Sequence, residues 1–298
     1  MRISIVGPTA SGKTNIAIDI ATQMSDVALL SCDSMAVYKY MDLGTAKPNR
    51  IELRGVQYYL IDLVEPSEEF SIAQFRKAAS LCEDSLEAAN VPVYVGGSGL
   101  YHSAVFDSLA IPPTDATLRH NLELAIKETG TAVFYQRLQA LDPEAASRID
   151  PNNVRRIVRA LEVIELTGQR FSSFGPGINN YRPSSNKILG IHLEVIDLDK
   201  RIADRVDKLI ANGWVEECMW LRENTILSRT ARLAIGYREM FDYLAGLTSM
   251  DQTRVDIIRR SQKLARRQRS WFARDPRIEW FDDPKQLLNR AKVLLASR

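Results

Sequence analysis

One octapeptide near the start of the chain restricts its fold more than any other feature. Gly7-Pro8-Thr9-Ala10-Ser11-Gly12-Lys13-Thr14 fits the pattern G-x-x-x-x-G-K-[ST]. The stretch before it, Arg2–Val6, reads as a buried strand, and Lys13–Met24 reads as a helix. Strand, glycine-rich turn and helix form the only context in which this pattern can work. Gly7 and Gly12 let the backbone bend so that its N–H groups converge on an anion, and the helix N-terminus adds partial positive charge. Lys13 would reach the outer phosphate, and Thr14 would bind Mg²⁺.

Further β-branched apolar runs recur at Val27–Ser31, Val56–Val64, Val91–Val95, Lys187–Val195 and Arg277–Phe281. Helical patterns at Ser71–Ala89 and Leu198–Leu221 lie between some of them. Buried strands alternating with helices predict an α/β fold: a P-loop NTPase-like, doubly wound, mostly parallel sheet. The alternation stops after Ile111-Pro112-Pro113. From Thr114 to about Gly168 the pattern is helical, with turns near Gly130 and Asp142-Pro143, and a loop over Ser172–Asn186 follows. Residues 114–186 therefore read as a helical insertion domain. Residues 1–113 and 187–298 form the catalytic core with a C-terminal basic helix.

In an open α/β sheet, ligands bind beyond the carboxyl ends of the strands. Asp33 follows the second predicted strand and would face the P-loop crevice as a Mg²⁺ ligand or general base, or serve as a turn residue. Gly96-Gly97-Ser98-Gly99-Leu100-Tyr101 follows another strand, and Ser98 offers a hydroxyl there. Within the insertion, Arg155, Arg156 and Arg159 flank one side of a helix that Asn152 or Asn153 can cap. A solvated face, with Arg159 paired to Glu162 or Glu165, fits that spacing equally.

The largest charge imbalance is Arg254–Arg274, with eight basic residues against the single acid Asp256, on a chain whose net charge is +2. Ile257, Leu264 and Trp271 recur at seven-residue spacing and can face the core, which leaves Arg259, Lys263, Arg266 and Arg267 on another face. A basic face on an anchored helix suits a nucleic-acid backbone. His102, His120 and His192 show no metal spacing, and Cys32, Cys82 and Cys218 show neither zinc nor redox spacing. No apolar run reaches membrane-spanning length, and the N-terminus reads as a strand rather than a signal segment. A reducing cytoplasm fits. The absence of N-K-x-D excludes a GTPase, and a small-molecule kinase would need neither the insertion nor the basic helix.

Six stretches together, in order, resemble the bacterial tRNA dimethylallyltransferases, or tRNA isopentenyltransferases. They are GPTASGKT (7–14), DSMAVYKYMDLGTAKP (33–48), GGSGLY (96–101), NNVRRIVRALEV (152–163), AIGYRE (234–239) and RRSQKLARRQRSWFARD (259–275). Departures are small. Ser98 stands where the family commonly has Thr, Ala36 where Gln is frequent, and Leu233 where a polar residue is usual.

The resemblance implies transfer of a dimethylallyl group from dimethylallyl pyrophosphate to N6 of adenosine 37, beside the anticodon of tRNA. It implies Asp33 as base, with Lys13, Thr9, Ser98 and Arg238 completing the catalytic set. Gly7, Pro8, Thr9, Ala10, Ser11, Gly12, Lys13 and Thr14 would cradle the pyrophosphate, with Mg²⁺ on Thr14. The tRNA anticodon stem-loop would meet Asp33, Ser34, Met35, Ala36, Ser98, Arg119, Arg155, Arg156, Arg159, Gly236, Tyr237, Arg238, Lys263, Arg266 and Arg267. A cytoplasmic monomer without membrane contact is expected. The competing readings are an adenylate isopentenyltransferase acting on free AMP or ATP, an ATP-dependent P-loop kinase, and an RNA-binding protein with a degenerate P-loop.

Overall fold

Six strands, all parallel, lie side by side in the order β3-β2-β4-β1-β5-β6 in a computed structural model of the chain. It describes residues 1–107, 109–175, 181 and 183–297. The expected loop Ser172–Asn186 lies partly outside these residues. By compactness the chain divides into two units, one comprising Met1–Phe106 and Tyr181–Arg298, the other Asp107–Asn180.

The first unit begins with β1 (Ile3–Val6), α1 (Lys13–Gln23), β2 (Val27–Ser31), α2 (Arg50–Leu53), β3 (Tyr58–Tyr59), α3 (Ile72–Ser85), β4 (Val91–Gly96) and α4 (Gly99–Phe106). The second unit holds α5 (Ala116–Thr129), α6 (Thr131–Leu141), α7 (Pro143–Arg148) and α8 (Val154–Thr167), then a 3-10 turn. The first unit resumes with β5 (Lys187–Ile191), α9 (Val195–Ala211), α10 (Trp214–Asn224), α11 (Arg229–Arg232), α12 (Tyr237–Leu244), α13 (Met250–Phe272), β6 (Ile278–Phe281) and α14 (Pro284–Ala296).

Alternation along the strands builds the layers, because successive side chains point to opposite faces. Ile3, Ile5, Leu29, Val93, Val95, Leu189 and Ile191 pack on one face against Ile16 and Ile20 of α1 and Leu287 and Leu294 of α14. Leu30, Tyr94 and Ile188 pack on the other face, with Phe75 of α3, Phe106 of α4 and Ile257 and Phe272 of α13. A parallel sheet covered on both faces needs apolar residues at nearly every position, as its central strands show. Because all strands run the same way, the turns after β1, β2 and β4 emerge at one edge of the sheet.

The predicted strand Val56–Val64 shortens to Tyr58–Tyr59, since Leu60 (φ 62°) and Asp62 (φ 54°) take left-handed backbone that ends the ladder. The single predicted helix Leu198–Leu221 becomes α9 and α10, separated at Asn212-Gly213, where Gly213 has φ 99°. Ser71 caps α3 in a capping box with Gln74, so that helix starts one residue later than expected. In the second unit, α5, α6 and α8 pack through Leu122, Ile126, Phe134, Leu138, Ile157 and Leu161.

Candidate active site

Gly7–Thr14 links β1 to α1. A Cβ on Gly7 would lie 2.7 Å from Ile191 Cγ2, so only glycine lets the loop start this close to β5. Ala10 (φ 63°) and Gly12 (φ 86°) both adopt left-handed backbone, which closes the loop into a cradle. Gly12 is the N-cap of α1 and supplies no side-chain acceptor, so the first amides of the helix are left for an external anion. Lys13 Nζ curls back over the loop to donate to Pro8 O at 3.0 Å. The Ser11 hydroxyl is buried without a hydrogen-bond partner among the described residues.

Sequence reasoning missed one cation in this place. Arg205, on α9, donates from Nη1 to Thr9 Oγ1 at 3.3 Å. Nothing in its local sequence, Arg201-Ile202-Ala203-Asp204-Arg205, marks it, because its role depends on a contact spanning 196 residues. Desolvation lowers the pKa of both cations, Lys13 to about 8, while the charge of Asp33 raises both. The Lys13 ammonium is additionally pushed down by Arg205. Two cations thus share the field of one carboxylate, and their surplus charge suits an anion.

Asp33 sits just past β2, where its Oδ1 accepts the Met35 N–H at 2.8 Å. This turn orients the carboxylate and leaves Oδ2 without a hydrogen bond among the described residues. The end of β4 is stitched to it, with Ser98 N–H donating to Cys32 O at 3.3 Å. A Cβ on Gly96 would lie 2.0 Å from that carbonyl oxygen, which accounts for a glycine there. Burial pushes the Cys32 thiol pKa up, so it is no nucleophile. Ser98 is half-buried in the turn that starts α4.

Several expected RNA contacts turn inward instead. Tyr237 is fully buried and donates its hydroxyl to Glu217 Oε1 at 2.7 Å, and Glu217 Oε2 in turn accepts the N–H groups of Asp42 and Leu43. Gly236 (φ 91°) lies so close to Trp214 that a Cβ would be 2.1 Å from its ring. Ala36 is also buried, whereas Ser34 and Met35 are half-buried. These residues shape the floor beneath 33–48. Arg238 is exposed at the start of α12, and its N–H donates to Ala234 O. No described contact joins its guanidinium to Thr9, Lys13 or Asp33. Arg205 is the arginine that reaches Thr9.

In the second unit, Glu162 is fully buried and takes Arg119 (Nη2–Oε2 2.9 Å) and Arg159 (Nη1–Oε2 2.8 Å). Arg159 also donates to the carbonyl oxygens of Pro112 (2.7 Å) and Pro113 (2.8 Å). Both arginines are therefore occupied in holding α5, α8 and residues 112–113 together. Arg155 and Arg156 are exposed and have no side-chain partner among the described residues. Asn153, not Asn152, caps α8, accepting the Arg156 N–H.

Acids from other elements similarly absorb part of the charge on α13. Arg254 pairs with Asp207, Arg260 with Glu239, and Arg266 with Asp199 at 3.4 Å. Arg269 donates to His192 Nε2 at 2.9 Å. Arg259, Lys263 and Arg267 remain exposed without a partner among the described residues. Ile257 is buried and Leu264 and Trp271 are half-buried, with Ala265 and Phe272 completing the inner face. His102 is buried and stacked on Phe106, and desolvation lowers its pKa to about 4, so it is a neutral packing residue.

Among the described residues no three His, Cys, Asp or Glu side chains cluster to hold a metal, and no helix is long and apolar enough to cross a membrane.

Comparisons with known proteins identify the family. The IPP transferase family model matches residues 36–275, and the isopentenyl transferase model matches residues 1–66. A tRNA dimethylallyltransferase of Bifidobacterium animalis is 42% identical over 283 residues, covering 93% of this chain and 81% of that one. One from Geobacillus thermodenitrificans is 39% identical, covering 95% and 91%. The crystal structure of a tRNA isopentenylpyrophosphate transferase from Bacillus halodurans superimposes with a TM-score of 0.70 at 36% identity, covering 99% and 96%. A eukaryotic dimethylallyltransferase acting on tRNA has the same fold, with a TM-score of 0.78 at 22% identity. With the P-loop, the strand-end carboxylate and matches spanning nearly its whole length, the chain belongs to the IPP transferase family.

Proposed function

We propose that this chain transfers a dimethylallyl group from dimethylallyl pyrophosphate to N6 of adenosine 37 of tRNA and releases pyrophosphate. The observation that carries the reading is the cluster of Lys13, Arg205, Thr9 and Asp33 at the carboxyl edge of the sheet, with two cations to one carboxylate. The tRNA dimethylallyltransferases at about 40% identity support the same reaction.

The chemistry follows from the charges. The allylic C–O bond breaks and the electron pair leaves with the pyrophosphate, while positive charge spreads over the allyl carbons. The N6 lone pair forms the new C–N bond, and the N6 proton goes to Asp33. The free Oδ2 suits that task, because Oδ1 is held by Met35 N–H. The loop amides, Lys13 and Arg205 stabilise the charge that grows on the leaving group, the usual source of the largest rate term in such sites. Thr9, held by Arg205, and Ser98 would orient oxygens of the donor.

A divalent cation fits here. The Thr14 hydroxyl opens α1 and makes no hydrogen bond among the described residues. With no carboxylate cage among the described residues, Mg²⁺ would be held by Thr14 and by the donor's own oxygens, as is common for this ion. Once bound it would add charge neutralisation at the pyrophosphate.

Flipping the target base from its stack costs a few kcal/mol. We assign that energy to phosphate contacts from Lys263 and Arg267 on α13 and from Arg155 and Arg156 on α8, with the second unit serving as an RNA-contacting domain. A cytoplasmic monomer fits this task. The test offers an unmodified anticodon stem-loop and AMP as acceptors with labelled dimethylallyl pyrophosphate. Label in N6-dimethylallyladenosine of the RNA is expected, and label in AMP alone would refute the reading.

A further inference from the structure

Gln268 is an uncharged side chain near the C-terminal end of the strongly basic helix α13. Its Oε1 accepts the Thr9 N–H at 2.7 Å. The turn after β4 makes room for it, since a Cβ on Gly97 would lie 2.3 Å from Gln268 Nε2 and 3.1 Å from Gly7 O. Three residues further along α13, Trp271 fills the space left by Gly99, where a Cβ would lie 2.2 Å from the indole. Two glycines of the GGSG turn are therefore matched to two α13 side chains. Pro8 has no N–H, so Thr9 carries the first backbone donor after Gly7. That residue is gripped twice, at its amide by Gln268 and at its hydroxyl by Arg205.

We propose that Gln268 is a positioning residue for the transfer. Its amide oxygen fixes Thr9 and, through the Thr9 hydroxyl, the Arg205 guanidinium relative to the departing pyrophosphate. The inference rests on the pyrophosphate reading of the cradle. It differs from a packing role in one respect: the acceptor oxygen matters, not the volume. A misplacement of about 1 Å at such a site can cost on the order of 10²-fold in rate.

Two variants of the full chain separate the possibilities. Gln268→Met keeps length and approximate volume but removes the acceptor. Gln268→Glu keeps an acceptor oxygen and adds negative charge beside the anion. With donor and tRNA saturating, Gln268→Met is expected to lower kcat about 10- to 100-fold, with the KM for tRNA almost unchanged. Gln268→Glu is expected to retain more kcat than Gln268→Met while raising the KM for the donor. A packing role reverses the ranking, so a Met variant equal to or faster than the Glu variant overturns the proposal.

A second measurement does not depend on turnover. The Thr9 amide proton resonance of the ¹⁵N-labelled chain should move upfield in Gln268→Met and stay near its wild-type position in Gln268→Glu. An unmoved Thr9 resonance in Gln268→Met also overturns the proposal. Failure of the wild-type chain to use dimethylallyl pyrophosphate would instead remove the pyrophosphate reading itself.

Discussion

Among the described residues, two places bring a pair of cations to a carboxylate, with the same formal charge but different contacts. In the second unit, Arg119 and Arg159 converge on Glu162, which is fully buried and accepts from both. Each guanidinium bonds to the carboxylate directly, and two backbone carbonyls accept further bonds from Arg159. At the carboxyl edge of the sheet, Lys13 and Arg205 feel Asp33 only through its field, while desolvation lowers the pKa of both. Burying charge without a direct partner is unfavourable. The protein tolerates this at the P-loop, where an anionic substrate supplies the missing charge. Directly paired arginines hold structure together, and cations without a direct carboxylate partner mark the site.

The largest expected effect comes from deleting the lone carboxylate of the cationic pair. Asp33→Asn should lower turnover about 10²–10⁴-fold while tRNA affinity, measured by filter binding, is retained. Arg205→Met should follow, with a loss of about 10²–10³-fold in kcat for removing one stabiliser of the leaving charge. Arg238→Met should lose clearly less, and equal losses would break the assignment of Arg205. Glu162→Ala tests the directly paired side. Breaking a fully buried pair costs about 3–5 kcal/mol, and because Arg119 is 39% exposed the expected loss is nearer 2–3 kcal/mol, read from urea unfolding.

The P-loop lysine gives a pH signature. Its pKa, lowered to about 8, means it is charged below that pH and neutral above it. kcat/KM for the donor should therefore fall above about pH 8, because this ratio reports the free enzyme. A flat profile to pH 10 would separate Lys13 from donor binding. The smallest effect belongs to the solvent-facing cations. Lys263→Ala and Arg267→Ala should each reduce the slope of log affinity against log salt by about 0.7–0.9.

Local patterns carried much of the fold. The P-loop lies between a strand and a helix, and the β-branched runs at 2–6, 27–31, 91–95 and 187–195 each hold a parallel strand, the last ending early at Ile191. The candidate site was legible where chain order suffices, because Lys13 closes the loop after β1 and Asp33 lies just past β2. It was illegible where the contact is remote. Arg205 meets Thr9 and Gln268 meets Thr9 across gaps of 196 and 259 residues, which no spacing rule reads. The charge run on α13 was legible only in part, since Asp199, Asp207 and Glu239 come from other helices to pair with three of its arginines. The short β3 was misread because local apolar content hides the left-handed backbone at Leu60 and Asp62.

The central claim is that the cations without a direct carboxylate partner hold a pyrophosphate that is discarded as its carbon group moves to tRNA. Donor labelled separately in its allyl group and its terminal phosphate tests this most directly. The expected result is one labelled pyrophosphate released for each labelled N6-dimethylallyladenosine found in tRNA. Phosphate label transferred to an acceptor, or pyrophosphate released with no allyl label in the RNA, would contradict it.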